Sequence, residues 1–153
     1  MRALATLALL CVAPASAQEF LGRCIGADRW SAGTGYASFE DCDGGGDDPM
    51  LILSCNGGAT RISVILSVGY VGGERMPVHS SLLLDGAVFA LIGRSEFDHH
   101  HDSYVLVDAP IPPDAVEALA SGRAGVIVTP DTTYPIHLTD SRGAIETMRS
   151  TCR

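Results

Sequence analysis

The sequence predicts a mainly β protein, a compact antiparallel β-sandwich or barrel with two short helices, stapled by disulfides. Three observations lead there. Short apolar runs and a stretch of period-two alternation recur from residue 50 onward. Asn-Gly and Asp-Gly pairs punctuate them, and such pairs mark tight hairpins. Behind an N-terminal stretch with leader character, Cys24, Cys42, Cys55 and Cys152 form an even set.

Element by element, residues 1–17 come first. Arg2 supplies a minimal basic start, Ala3 to Val12 is apolar except for Thr6, and Ala15-Ser16-Ala17 offers a cleavage site after Pro14. This is the pattern of a secretory signal peptide. Leu10 before Cys11 is too bulky for a lipidation site. Residues 18–49 are rich in Gly, Asp and Ser without a sustained period. They predict an irregular segment, with at most one short strand, anchored by Trp30, Tyr36 and Phe39.

Residues 50–153 form the β-rich domain. "MLILSC" is an apolar strand, with a turn at Asn56-Gly57. In "TRISVILSV", Ile62, Val64, Leu66 and Val68 alternate with Ser63, Ile65 and Ser67, the mark of a half-buried strand. "PVHSSLLLD" and "AVFALIG" flank Asp85-Gly86 as a second hairpin, and the histidine segment leads to "SYVLVD". "PIPPDAVEALASGR" is a helix with Pro first and Gly122 last. "AGVIVT" and "YPIHL" are strands around the turn "PDTT". A closing helix, capped by Asp140 or Ser141, places Ile145, Met148 and Cys152 on one face. The total is about seven strands and two helices.

An even cysteine count behind a leader points to an oxidising compartment, hence a periplasmic or secreted protein. Four cysteines allow three pairings. Cys24–Cys42 and Cys55–Cys152 are favoured, because the first closes a segment with little apolar content and the second ties the C-terminus to an apolar strand. No other stretch reaches the roughly 18–20 apolar residues that cross a bilayer, so no transmembrane segment is expected behind the leader. The formal net charge is −8, and every basic residue other than histidine is arginine. That acidity argues against nucleic acid or an anionic membrane as partner and suits a cationic partner or a divalent cation.

The chemical candidates are few. "EFDHHHDS" sets His99, His100 and His101 between Asp98 and Asp102. In an extended segment His99 and His101 share one face, a workable bidentate pair for zinc or copper. A complete site needs His79 or His137 to come near. Otherwise the three histidines form an exposed turn between strands. "EDCDGGGDDP" resembles a calcium loop through Asp41, Asp43 and Asp47, but Ile52 stands where a bidentate glutamate belongs. Nucleophile motifs are missing: "IGRSEF" has Phe97 in place of the last glycine of G-x-S-x-G. His79 and Ser80, as strand neighbours, point to opposite faces. Without lysine there is no Ser-Lys dyad, Schiff base or P-loop. No enzyme activity and no cofactor are expected.

From Met50 to Cys152 the order "LILSCNGGATRISVIL", "GYVGGERMPV", a strand pair, a helix before "GVIVT" and "IHLTDSRGAIETMRSTC" resembles the small exported VasI-type accessory proteins of type VI secretion, and other small periplasmic all-β proteins. The resemblance implies a non-catalytic envelope protein and transfers no active-site residues. The expectation is therefore an exported β-rich protein that binds another macromolecule, with divalent metal binding at His99 and His101 as the alternative.

Overall fold

The computed structural model describes residues 19–42, 49–67 and 69–152. The leader lies outside these residues, as do Asp43, Asp47 and Asp48 of the acidic glycine run. The fold is mainly β, with ten strands in one antiparallel sheet that curls into a half-barrel. They are β1 (Phe20–Leu21), β2 (Asp28–Gly33), β3 (Tyr36–Asp41), β4 (Pro49–Asn56), β5 (Ala59–Ile65), β6 (Pro77–Leu84), β7 (Ala87–Asp98), β8 (Ser103–Pro110), β9 (Ala124–Val128) and β10 (Thr133–His137). Helix α1 (Pro113–Ser121) follows β8, and α2 (Ser141–Thr151) closes the described chain. The spatial order is β1-β2-β3-β4-β5-β8-β7-β6-β9-β10.

This order has a simple cause. The first five strands lie side by side in chain order. The segment 66–76 then crosses to β6, and the β6-β7-β8 meander returns until β8 meets β5. Tyr70, in that crossing, sets its ring edge against Tyr104 at 5.5 Å between centroids. Helix α1 makes the second crossover, from β8 to β9 beside β6.

All seven strands expected from residue 50 onward are present. The expectation of an irregular segment at 18–49 is corrected: β2 and β3 form a hairpin, with Gly33 opposite Tyr36 and Thr34-Gly35 as the turn. Gly35 sits at φ 76°, where a side chain is strained, and its carbonyl accepts the Cys55 N–H at 2.8 Å. Trp30, Ala32, Ala37 and Phe39 alternate toward the core, while Ser31, Ser38 and Glu40 point to the other face of the sheet and are buried there as well. The outward row is bonded internally: Ser31 to Ser38 at 2.8 Å, Ser38 to Glu40 at 3.1 Å, and Arg29 to Glu40 at 3.0 Å. Trp30 and Phe39 anchor the segment, being fully buried, whereas Tyr36 is 45% exposed and lays its ring over Gly33. The turn after β4 is Gly57-Gly58, one residue later than expected, with both glycines at positive φ. The Asp85-Gly86 turn is where the sequence puts it.

The concave face of the sheet carries the core, including Leu51, Leu53, Ile62, Val64, Leu82, Leu91, Leu106 and Ile127. Helix α2 packs on β1 to β4 and on α1, burying Ala144, Ile145 and Met148. Gly143 admits the Phe20 ring, because a Cβ there would stand 2.6 Å from two ring atoms. Asp140 takes the N-cap position but does not cap. Its carboxylate accepts the Arg23 backbone N–H at 2.8 Å instead, and the Ser141 hydroxyl points to the Leu119 and Leu138 carbonyls. Strand β10 meets β2 through two side-chain-to-backbone contacts. The Trp30 indole N–H donates to the His137 carbonyl at 2.8 Å, and His137 Nε2 lies 3.1 Å from the Asp28 carbonyl.

Cys24 pairs with Cys42, and Cys55 with Cys152, at Cα–Cα distances of 6.1 and 5.5 Å. No helix among the described residues is long and apolar enough to cross a membrane.

Candidate functional site: a rim cavity with paired carboxylates

The histidines come first. Asp98 ends β7, Ser103 opens β8 directly opposite, and residues 99–102 turn between them. The segment is not extended, so His99 and His101 do not share a strand face. The Asp98 carboxylate organises the turn: Oδ1 accepts the His100 N–H at 2.9 Å, and Oδ2 accepts from His101 Nδ1 at 2.6 Å. The hydrogen bond from His101, then that from His100, holds the Asp98 carboxyl below its ordinary range. His99 is exposed and sets its ring edge on Phe97 at 4.9 Å between centroids. His79 is exposed opposite Ile92, well back along the β6–β7 ladder, and His137 sits at the β10–β2 seam. Among the described residues, no three His, Cys, Asp or Glu side chains are grouped to hold a metal ion.

His101 instead joins a different constellation. Asp28 opens β2 and Asp41 closes β3, and the hairpin register sets them directly opposite each other. The ladder is tied off just beyond by Cys24–Cys42 and by the Cys42 N–H, which donates to the Ala27 carbonyl at 2.6 Å. Two carboxylates are thus fixed side by side at the sheet rim, where like charges destabilise each other. A cavity of 460 Å³ opens there, lined by Asp28, Asp41, His101, Ser103 and Tyr134 on the polar side and by Met50, Ile65 and Leu66 on the apolar side. Ser67, also in the lining, hydrogen-bonds Asp131, whose other oxygen accepts from Thr129 at 3.1 Å. That link joins the start of the β5–β6 crossing to the β9–β10 turn.

The electrostatics are uneven. Burial raises the Asp28 carboxyl above its ordinary range, and Asp41 adds to this, while His137 opposes it. No described residue donates a hydrogen bond to the Asp28 carboxylate. Tyr134 is also raised, first by burial and then by Asp131. Ser103 is 4% exposed, and its hydroxyl has no hydrogen-bond partner. Buried hydroxyls are seldom left so. The rim therefore offers carboxylates and an aromatic ring around a space of side-chain size, with the Ser103 hydroxyl occluded behind its wall.

A larger hollow of 690 Å³ lies beside the Cys55–Cys152 disulfide. Its walls are mostly apolar, and its one charged residue, Arg149, is paired with Glu117 at 3.6 Å. It gathers no comparable group of titratable side chains.

Sequence reasoning considered Asp41 only for calcium and overlooked Asp28, Ser103 and Tyr134. The alternation around Trp30 and Phe39 was the available signal, because it puts Asp28 and Asp41 at matching ends of two strands. Comparison with protein-family models, with curated proteins and with solved structures finds no match.

Proposed function

We propose that the protein is an exported, non-catalytic module that binds another macromolecule in the cell envelope or outside the cell, and that it receives a cationic group of that partner at the rim cavity. The carrying observation is the Asp28–Asp41 pair, two carboxylates set against each other by the hairpin register in a cavity wall. Burial, against the opposing effect of His137 and with a smaller push from Asp41, holds the Asp28 carboxyl above its ordinary range, and a positive neighbour would favour its ionised form. The two disulfides are compatible with an oxidising compartment, and the net charge of −8 favours encounter with cationic proteins. The resemblance of residues 50–152 to VasI-type proteins points the same way, toward an accessory role in an envelope assembly.

The test uses the disulfide-bonded protein and a cationic protein probe, hen egg-white lysozyme, in titration calorimetry. The expected result is a complex that weakens steeply between low salt and about 0.15 M salt, as screening of exposed charge requires. Asp28→Asn with Asp41→Asn should weaken it by about tenfold, or about 1.4 kcal/mol. No binding at low salt, or binding that ignores both salt and the double substitution, refutes the proposal.

A further inference from the structure

Independently of the rim cavity, we infer that the open edge of β7 is a dimer interface, on which a second copy of this chain pairs its own β7 antiparallel about Ala90. Strand β7 pairs with β6 from Ala87 to Arg94, but with β8 only from Arg94 to Asp98. The β8 ladder stops there because β8 leaves it. Asp108 takes φ 50°, and Ala109 and Pro110 follow β5 instead. A hollow of 540 Å³ lined by Ile92, Gly93, Arg94, Val107 and Asp108 marks the fork. Backbone alternation identifies the groups left over. The Ser95 N–H donates to the Met76 carbonyl at 2.9 Å, and its carbonyl accepts the Arg75 N–H at 2.6 Å, so Ser95 faces the β6 side. Two by two, Gly93, Leu91, Phe89 and Ala87 do the same. The N–H and C=O groups of Val88, Ala90 and Ile92 therefore face the other side, where no strand is paired with them among the described residues.

Edge strands normally carry a charge, a proline or a bulge that stops another strand from adding. Residues 87–93, "AVFALIG", carry no charge and no proline, and their register with β6 is unbroken. Val88 and Ile92 are 67% and 55% exposed. The segment also fits itself. Paired about a two-fold axis at Ala90, Val88 meets Ile92 of the second copy, and the small Ala90 side chains meet at the axis. Each of these pairs exchanges both N–H···O=C bonds, and Phe89 meets Leu91 of the second copy on the opposite face. Like charges face each other nowhere along this pairing. The same register brings the Asp85-Gly86 turn beside Arg94 of the second copy, and Arg94 has no ion-pair partner among the described residues. Pairing about a two-fold axis is closed, so it stops at the dimer. One strand a side buries less than a standard interface, so the dimer is a weak one, of micromolar stability.

The experiment is sedimentation velocity of the full, disulfide-bonded chain from low micromolar to millimolar concentration, with amide hydrogen exchange read by NMR at both ends of that range. The expected result is a monomer–dimer equilibrium. Exchange at the Val88, Ala90 and Ile92 amides should slow severalfold where the dimer forms, while the Leu91 amide, already bonded to β6, does not respond. Ala90→Pro removes an N–H on the open side, a change that edge strands tolerate, and should weaken the dimer at least tenfold, or about 1.4 kcal/mol. Ile92→Lys should do the same by setting a charge on the edge. If Ala90→Pro does not fold, Ile92→Lys and the exchange pattern of the unaltered chain decide the matter. A monomer at every concentration, self-association that runs on past the dimer, a dimer that Ile92→Lys leaves unchanged, or protection that fails to alternate between Leu91 and its neighbours overturns the inference.

Discussion

Loss of the Cys55–Cys152 disulfide should cost more stability than loss of Cys24–Cys42, although the second sits beside the candidate site. The cross-links span 97 and 18 residues. A cross-link removes loop-closure entropy from the unfolded chain, by about 4.7 kcal/mol for a loop near 100 residues and about 3 kcal/mol for one near 15. For these two loops the logarithmic dependence leaves a difference of about 1.5 kcal/mol in favour of Cys55–Cys152. The folded state is not expected to erase it. Helix α2 keeps Ala144, Ile145 and Met148 buried without the bond, and the Thr151 hydroxyl still accepts the Gly35 N–H at 2.9 Å. The assay is urea unfolding followed by far-ultraviolet circular dichroism on two double variants, Cys55→Ser with Cys152→Ser and Cys24→Ser with Cys42→Ser. The first should lose about 2–5 kcal/mol with a larger m-value, because its unfolded chain expands. If the Cys24–Cys42 variant loses as much or more, the bonds act by local anchoring of the folded state, and the entropic reasoning is refuted.

Trp30→Phe should destabilise by about 2–4 kcal/mol, since it leaves the His137 carbonyl without the indole N–H and opens space in a fully buried position; urea unfolding measures it. Asp28→Asn should stabilise the fold while weakening cation binding. A carboxyl raised by burial opposes folding when ionised, so the gain is present at neutral pH and fades as pH falls through the raised value, which paired melting curves across pH would show. Asp98→Asn should do the opposite. The Asp98 carboxyl is held low by His101 and His100, so its stabilisation is present above the ordinary carboxylate range and is lost as pH falls through the depressed value; the gap between wild type and variant should close in acid. A gap that stays constant down to the lowest pH at which both proteins fold would contradict that account of the turn.

Much of the fold was legible because its signals are local. The strands from β4 onward are apolar runs between turn residues, and Asp85-Gly86 marks its hairpin because positive φ at both positions suits few residue pairs. Pro113 and Gly122 bound α1 for equally local reasons: the fixed φ of proline and the weak helix propensity of glycine. The β2–β3 hairpin was not legible. Its outward row is Ser31, Ser38 and Glu40, whose pairing across the strands, not their individual propensity, makes them strand residues. Arg29 and Glu40 become an ion pair only once the register exists.

The same division separates the two halves of the candidate site. The sequence alone determined the mainly β class, the acidic charge, the lack of lysine and the turn at His99, His100 and His101, all of which follow from neighbours along the chain. It could not determine that Asp28 faces Asp41, that Tyr134 and Ser103 close the same cavity, or that His137 belongs to the seam rather than to the other histidines. Those are contacts between residues far apart in the chain. They are decided when the β6-β7-β8 meander returns to β5 and the curl of the sheet brings β10 round to β2. Only then does burial act on charges that the linear order keeps apart.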